Sequence, residues 1–336
     1  MLRLLPLAIL VVTLTATPLV SAQEITSPEQ PGSGPGGRIY PFDEVVGQHF
    51  GEQPTGYWLF EPVAEPSDEE RLPPLPIVIL LHGYSAIDPL YIQAWIDHLV
   101  RQGRVVVFPD YQTDDPLAVP PLEYTGNMVD GVAAALDELR TGGHVETTLA
   151  GLAVAGYSMG GVLALNYAAM AESLNLPSPS SVLAMTPGGC LGCGGPGGSD
   201  EFGVPYRDLL QIEPDTKLLL VVGEDDDFVG ARPAQIAWQQ TDHIPDENRD
   251  YLIARTDDHG DPALVADHSF PSNAGSSAEM DALDWYGTFK WLDGLTRCVE
   301  RAETCGETMN GGATQLDMGE WSDGVPVVRP HNVEAP

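Results

Sequence analysis

Short apolar runs recur along the chain, separated by segments of helical spacing or by loops rich in Pro and Gly. Ile77–Leu81, Val105–Phe108, Leu152–Ala155, Val182–Met185, Leu218–Val222 and Tyr251–Ala254 have the length and bounding of buried strands. Val45–Phe50 and Tyr57–Glu61 flank a Gly/Pro turn and predict an antiparallel hairpin at a sheet edge. Helical spacing covers Asp88–Gly103, where Leu90, Ala94, Trp95 and Leu99 share a face and Gly103 is the cap. It also covers Thr125–Thr141, Val162–Met170 and Ala278–Leu292, the last with Trp285, Phe289 and Leu292 on one side. Strands alternating with helices predict an α/β fold: a mostly parallel sheet with helices on both faces. Glu65–Pro76 and Asp114–Pro121 read as loops, and Gly188–Pro205 as a Gly-rich loop between two strands. That last loop is either a small pinned rim over the sheet's carboxyl edge or a surface loop.

Composition sets the chain's surroundings. With 336 residues and 43% hydrophobic content there is material for one large core. Residues 1–22 read as a secretory signal peptide, with Arg3, an apolar run to Val20, and Val20-Ser21-Ala22 as the cleavage site. Residues 23–37 lack periodic apolar positions and read as a disordered leader. The catalytic domain is then expected over 38–297, followed by a disulfide-pinned tail over 298–336. The expected location is extracellular or periplasmic. Cysteines suit such a compartment: Cys190 with Cys193 and Cys298 with Cys305 are the expected local pairs, although four cysteines allow three connectivities. Their unequal spacings and lack of nearby His speak against zinc.

Charge narrows the partners. The formal net charge is −34, with only two lysines, Lys217 and Lys290. No basic patch exists for nucleic acid, and an anionic membrane surface is equally disfavoured. No second long apolar segment follows the first, so no membrane insertion is expected. Such an acid surplus either reflects work in high salt, where screening quiets self-repulsion, or simply an acidic secreted protein.

The candidate chemistry sits between the Leu152–Ala155 strand and the helix after it, in Gly156-Tyr157-Ser158-Met159-Gly160. A serine on a sharp strand-to-helix turn needs glycine two residues to either side, because side chains there would strike the neighbouring elements. The hydroxyl needs a base, and the base needs a carboxylate to hold its tautomer. Reactive groups on such a sheet lie just beyond the strands' carboxyl ends, in the order Ser, acid, His. The acid falls in Gly223-Glu224-Asp225-Asp226-Asp227, with Asp226 the candidate and Asp227 the alternative; a calcium loop would need more widely spaced ligands. The base is His259, closest to the Tyr251–Ala254 strand and with Gly260 leaving room beside its ring, and His268 is the alternative. His82, His98, His144 and His243 are expected to be structural. Met159 and Tyr84, the latter in His82-Gly83-Tyr84 after the Ile77–Leu81 strand, are the expected oxyanion-hole donors through their backbone N–H groups. No cofactor and no metal is expected.

These segments, HGY after a strand, GYSMGG, GEDDDFV and DDHG, follow the order and spacing of the α/β-hydrolase superfamily, which residues 45–295 resemble. Within it the chain is similar to the dienelactone hydrolase, chlorophyllase and cutinase-like branches. The CLGC loop and the YIQAWIDHL and VVFPDYQ segments depart from true cutinases and look like a group of bacterial secreted α/β hydrolases. The resemblance implies an eight-stranded sheet and a secreted Ser-His-Asp carboxylic-ester hydrolase, monomeric, acting on a small-molecule or polymeric ester. Alternatives are a cutinase-like polyester hydrolase or lipase, an acyltransferase, and a non-catalytic binding protein of the same fold.

Overall fold

The computed structural model describes residues 24–63, 73–195, 198–199, 201–272 and 280–333. The expected signal peptide, most of the 65–76 loop, and the first two residues of the expected 278–292 helix lie outside them. Nine strands form one sheet: β1 (Val45–Phe50), β2 (Tyr57–Pro62), β3 (Leu75–Leu81), β4 (Val105–Pro109), β5 (Thr147–Tyr157), β6 (Ser181–Met185), β7 (Lys217–Gly223), β8 (Arg249–Ala254) and β9 (His331–Asn332). Their order is β1-β2-β4-β3-β5-β6-β7-β8-β9. The six central strands, from β4 to β8, run parallel. The β1-β2 hairpin is antiparallel at one edge, as its pattern predicts, and β9 is antiparallel at the other.

The layers follow from side-chain alternation. Ile77, Ile79 and Leu81 of β3 face one core, and Val78 and Leu80 face the other. The first core is closed by α2 (Pro121–Glu138), α3 (Met159–Met170) and α4 (Arg232–Gln240). The second is closed by α1 (Gln93–Arg101) and α5 (Lys290–Glu300). Every residue of α3 from Met159 to Ala169 is buried, which explains its all-round apolar sequence. Its one amide side chain, Asn166, is fully committed: it donates to Thr125 Oγ1 and the Pro205 carbonyl and accepts from Arg207 N–H.

Two expectations about the chain's flanks are corrected. The 23–37 stretch, expected to be disordered, is seated on the body from Glu24 onward. Prolines leave it extended and non-periodic, yet its backbone finds remote partners. Pro28 O accepts from Trp285 Nε1, Thr26 N–H donates to Ser322 Oγ, and Gly36 N–H donates to the buried Asp293 carboxylate. His98 Nε2 binds the same Asp293 oxygen at 3.1 Å. Burial would raise Asp293; His98, Arg104 and the Gly36 N–H outweigh it and hold its carboxyl below the usual range. The stretch after residue 298 is likewise more than a tail. Trp321, Met318 and Val327 enter the second core, and β9 supplies the ninth strand where eight were expected.

Candidate active site

The strand order reverses between β3 and β5: the chain leaves β3 for β4 on one side, and β5 begins the run on the other. A crevice opens at such a point beyond the carboxyl ends of the two strands. The loop after β3 and Ser158 after β5 both sit there. Ser158 has φ 55° and ψ −119°, a left-handed backbone that side chains rarely adopt. The surrounding glycines are sterically required. A Cβ at Gly156 would lie 2.0 Å from Gly160 O, and one at Gly160 would lie 2.1 Å from Leu81 O. The Ser158 turn is thus pressed against β3, with its hydroxyl presented at the crevice.

His268 Nε2 is 3.0 Å from Ser158 Oγ, and His268 Nδ1 is 2.8 Å from Asp226 Oδ2. The other Asp226 oxygen accepts from Phe228, Val229 and Gly230 N–H at 3.1, 2.9 and 3.4 Å. Burial alone would raise Asp226, but the His268 hydrogen bond and those backbone donors prevail and keep its carboxyl below the ordinary range. The choice of Asp226 among three aspartates therefore matches the geometry. Asp227, the alternative, is exposed at the rim, and Asp225 takes the Thr256 hydroxyl.

His259, expected as the base, is not in this chain. Its Nε2 meets Asp323 Oδ2 at 2.9 Å, and the pair is solvent-exposed. Sequence proximity to β8 misleads here because the chain doubles back. Asp257 and Leu264 exchange backbone hydrogen bonds, and Ala266 N–H returns to Thr256 Oγ1 beside the strand end. His268 therefore follows β8 in space, while His259 tips the intervening turn. Gly260 makes room for something else: a Cβ there would lie 2.2 Å from the Trp321 ring. A missed signal was Gly223, where a Cβ would lie 2.1 Å from Ala266 O. Only glycine lets the His268 loop cross the end of β7.

The loop after β3 lies against the nucleophile, for a Cβ at Gly83 would sit 3.3 Å from Ser158 Cβ. Residues outside the expected site hold this loop. Ser85 N–H donates to Gln112 Oε1 at 2.9 Å, and Gln112 Nε2 donates to Gly83 O at 3.4 Å. The Tyr111 hydroxyl donates to His82 O. The His82 ring stacks on Tyr111, 4.0 Å between centroids, with its nitrogens against Gly83 O and Asp110 O. Burial lowers His82 to about 4, against the raising effect of its two backbone carbonyl partners. The polar cluster PDYQ directly after a buried strand was the readable clue. His144 lies in ion pairs with Glu61 and Glu138, and His243 donates to Ile212 O.

Aromatic rings flank the crevice. Tyr84 meets Phe202 edge-on at 5.2 Å, and Phe228 lies 5.1 Å from the His268 ring. The Tyr157 ring lies 5.3 Å from His268 on its inner side. Cys190 is bonded to Cys193 and Cys298 to Cys305, the two local pairs. The Cys190 loop is a wall of the crevice: Gly189 approaches the Met159 side chain, and Val204 beneath it is fully buried. Residues 196, 197 and 200 of this loop lie outside the described set. Among the described residues no helix is long and apolar enough to cross a membrane. No protein-family model and no curated protein matches the chain.

Proposed function

We propose that this protein is a carboxylic-ester hydrolase of α/β-hydrolase architecture, acting through an acyl-serine intermediate. The observation that carries the reading is the unbroken hydrogen-bonded line from Ser158 Oγ through His268 to Asp226. Three loops far apart in sequence converge to make it, and its central imidazole joins a hydroxyl to a carboxylate. A structural histidine has no need of that arrangement at the end of a strained turn.

In this mechanism Ser158 Oγ attacks the ester carbonyl while His268 Nε2 takes its proton. Asp226 keeps the Nδ1 proton in place and stabilises the imidazolium. The developing oxyanion takes backbone N–H donors from Met159, in the first turn of α3, and from Tyr84, on the loop Gln112 clamps. The alcohol leaves with the proton from His268, and water repeats the sequence to release the acid. Two disulfides support placing the chain in an oxidising compartment outside the cytoplasm.

A fluorophosphonate probe tests the nucleophile. Wild-type protein is expected to label at one site and lose activity on p-nitrophenyl butyrate in parallel, and Ser158→Ala to do neither. Stoichiometric labelling of Ser158→Ala would falsify the assignment.

A further inference from the structure

A recess of about 410 Å³ opens beside the imidazole, lined by Asp225, Asp227, Phe228, Asp267, His268 and Ser269. Its apolar wall is the Phe228 ring, which is 72% exposed and lies 5.1 Å from the His268 ring at 48°. A phenylalanine so exposed gains little from the fold. It is held in place by its neighbours, because Phe228 N–H and Val229 N–H both bind Asp226 Oδ1. The backbone that carries the ring is thereby fixed relative to the acid and, through the acid, to His268.

Resting on the hydrolase reading, we infer that this recess receives the alcohol portion of the ester, and that this portion is an aromatic group without negative charge. His268 is the group that must hand its proton to the departing oxygen, so the departing alcohol has to lie on the His268 side. The other aromatic wall, Tyr84 of the loop after β3 with Phe202 of the Cys190 loop, is left to the acyl part. Among the described residues, the ring on the His268 side that is open to stack on a substrate is Phe228, since Tyr157 is largely covered. A flat apolar group there gains offset or edge contact with Phe228. An alcohol carrying an acid would meet Asp225, Asp227 and Asp267 at the rim and be repelled.

The test compares benzyl acetate with ethyl acetate, which share an acyl group and differ only in the alcohol. In Phe228→Ala the ratio of kcat/KM values, benzyl over ethyl, is expected to fall about fivefold, and in Phe228→Tyr to be retained. An unchanged ratio in Phe228→Ala would overturn the inference. So would equal turnover of benzyl acetate and its 4-carboxy derivative by the wild type. If the wild type cleaves no ester, the hydrolase reading fails, and binding then decides the subsite separately. By calorimetry, benzyl acetate should bind Ser158→Ala more tightly than Ser158→Ala/Phe228→Ala, and equal affinities would remove the subsite.

Discussion

An imidazole between a hydroxyl and a carboxylate has one productive tautomer, with the proton on the nitrogen facing the acid. His268 is held to it by Asp226, whose other oxygen is engaged by three backbone donors and cannot swing away. Replacing His268 by Ala is expected to lower kcat about a thousandfold or more, since a positioned base contributes that order of rate. His259→Ala should leave ester turnover within about twofold, because it removes only an exposed pair with Asp323. Steady-state kinetics on one ester separates the two, and loss of activity in His259→Ala alone would reverse the assignment. Ser158 and Asp226 were legible because their surroundings are local: a glycine frame in one case, the fourth residue of a turn in the other. His268 was legible only as the alternative to His259, because its place depends on a chain reversal closed by Asp257 with Leu264 and on Trp321 filling the space beside Gly260.

At the level of elements, β3, β4 and β6 were readable because each is buried on both faces and so almost wholly apolar. Helix ends were less so. α2 starts at Pro121, a residue suited to a first turn, although the apolar spacing begins later. α4 escaped notice because its buried face is only Pro233, Ala234, Ala237 and Trp238, with glutamines between. α5 runs on to Glu300, its stripe continued by Leu295 and Cys298, and is preceded by a wide π turn over Asp284–Phe289. That turn buries a carboxyl. Burial pushes Asp284 up to about 8, against the lowering hydrogen bond from Asp281 N–H and with a smaller rise from the Asp281 carboxylate. A carboxyl raised from its unfolded value favours the folded state while both forms hold the proton, and loses that contribution as pH climbs toward the folded value. Wild-type Tm should therefore fall between pH 5 and pH 8 by at least about 3 °C more than that of Asp284→Asn. Parallel slopes in calorimetry would show that the Asp284 carboxyl does not carry this dependence.

Over the whole molecule, charge and closure dominate. A net charge of −34 on one chain repels itself at every distance within the Debye length. That length shrinks from about 10 Å at 0.1 M salt to about 3 Å at 1 M. Raising NaCl from 0.1 to 1 M should accordingly raise Tm by several degrees, about 3 °C or more; a Tm that stays level or drops would show that the surface tolerates its charge unaided. The α/β layering was legible from the alternation of elements, whereas the ninth strand and the seated leader were not. Both are held by partners remote in sequence, which no local pattern encodes: Thr26 with Ser322, Leu252 with Asn332. The brace from Trp321 Nε1 and Val328 N–H to Asp257, at the root of the His268 loop, has a consequence for timing. A ribosome that has passed residue 300 has already emitted the serine, the aspartate and the histidine, but not the clasp that steadies the last of them. The line from Ser158 through His268 to Asp226 is thus expected to be steadied only once the segment around Trp321 and Val328 has been made.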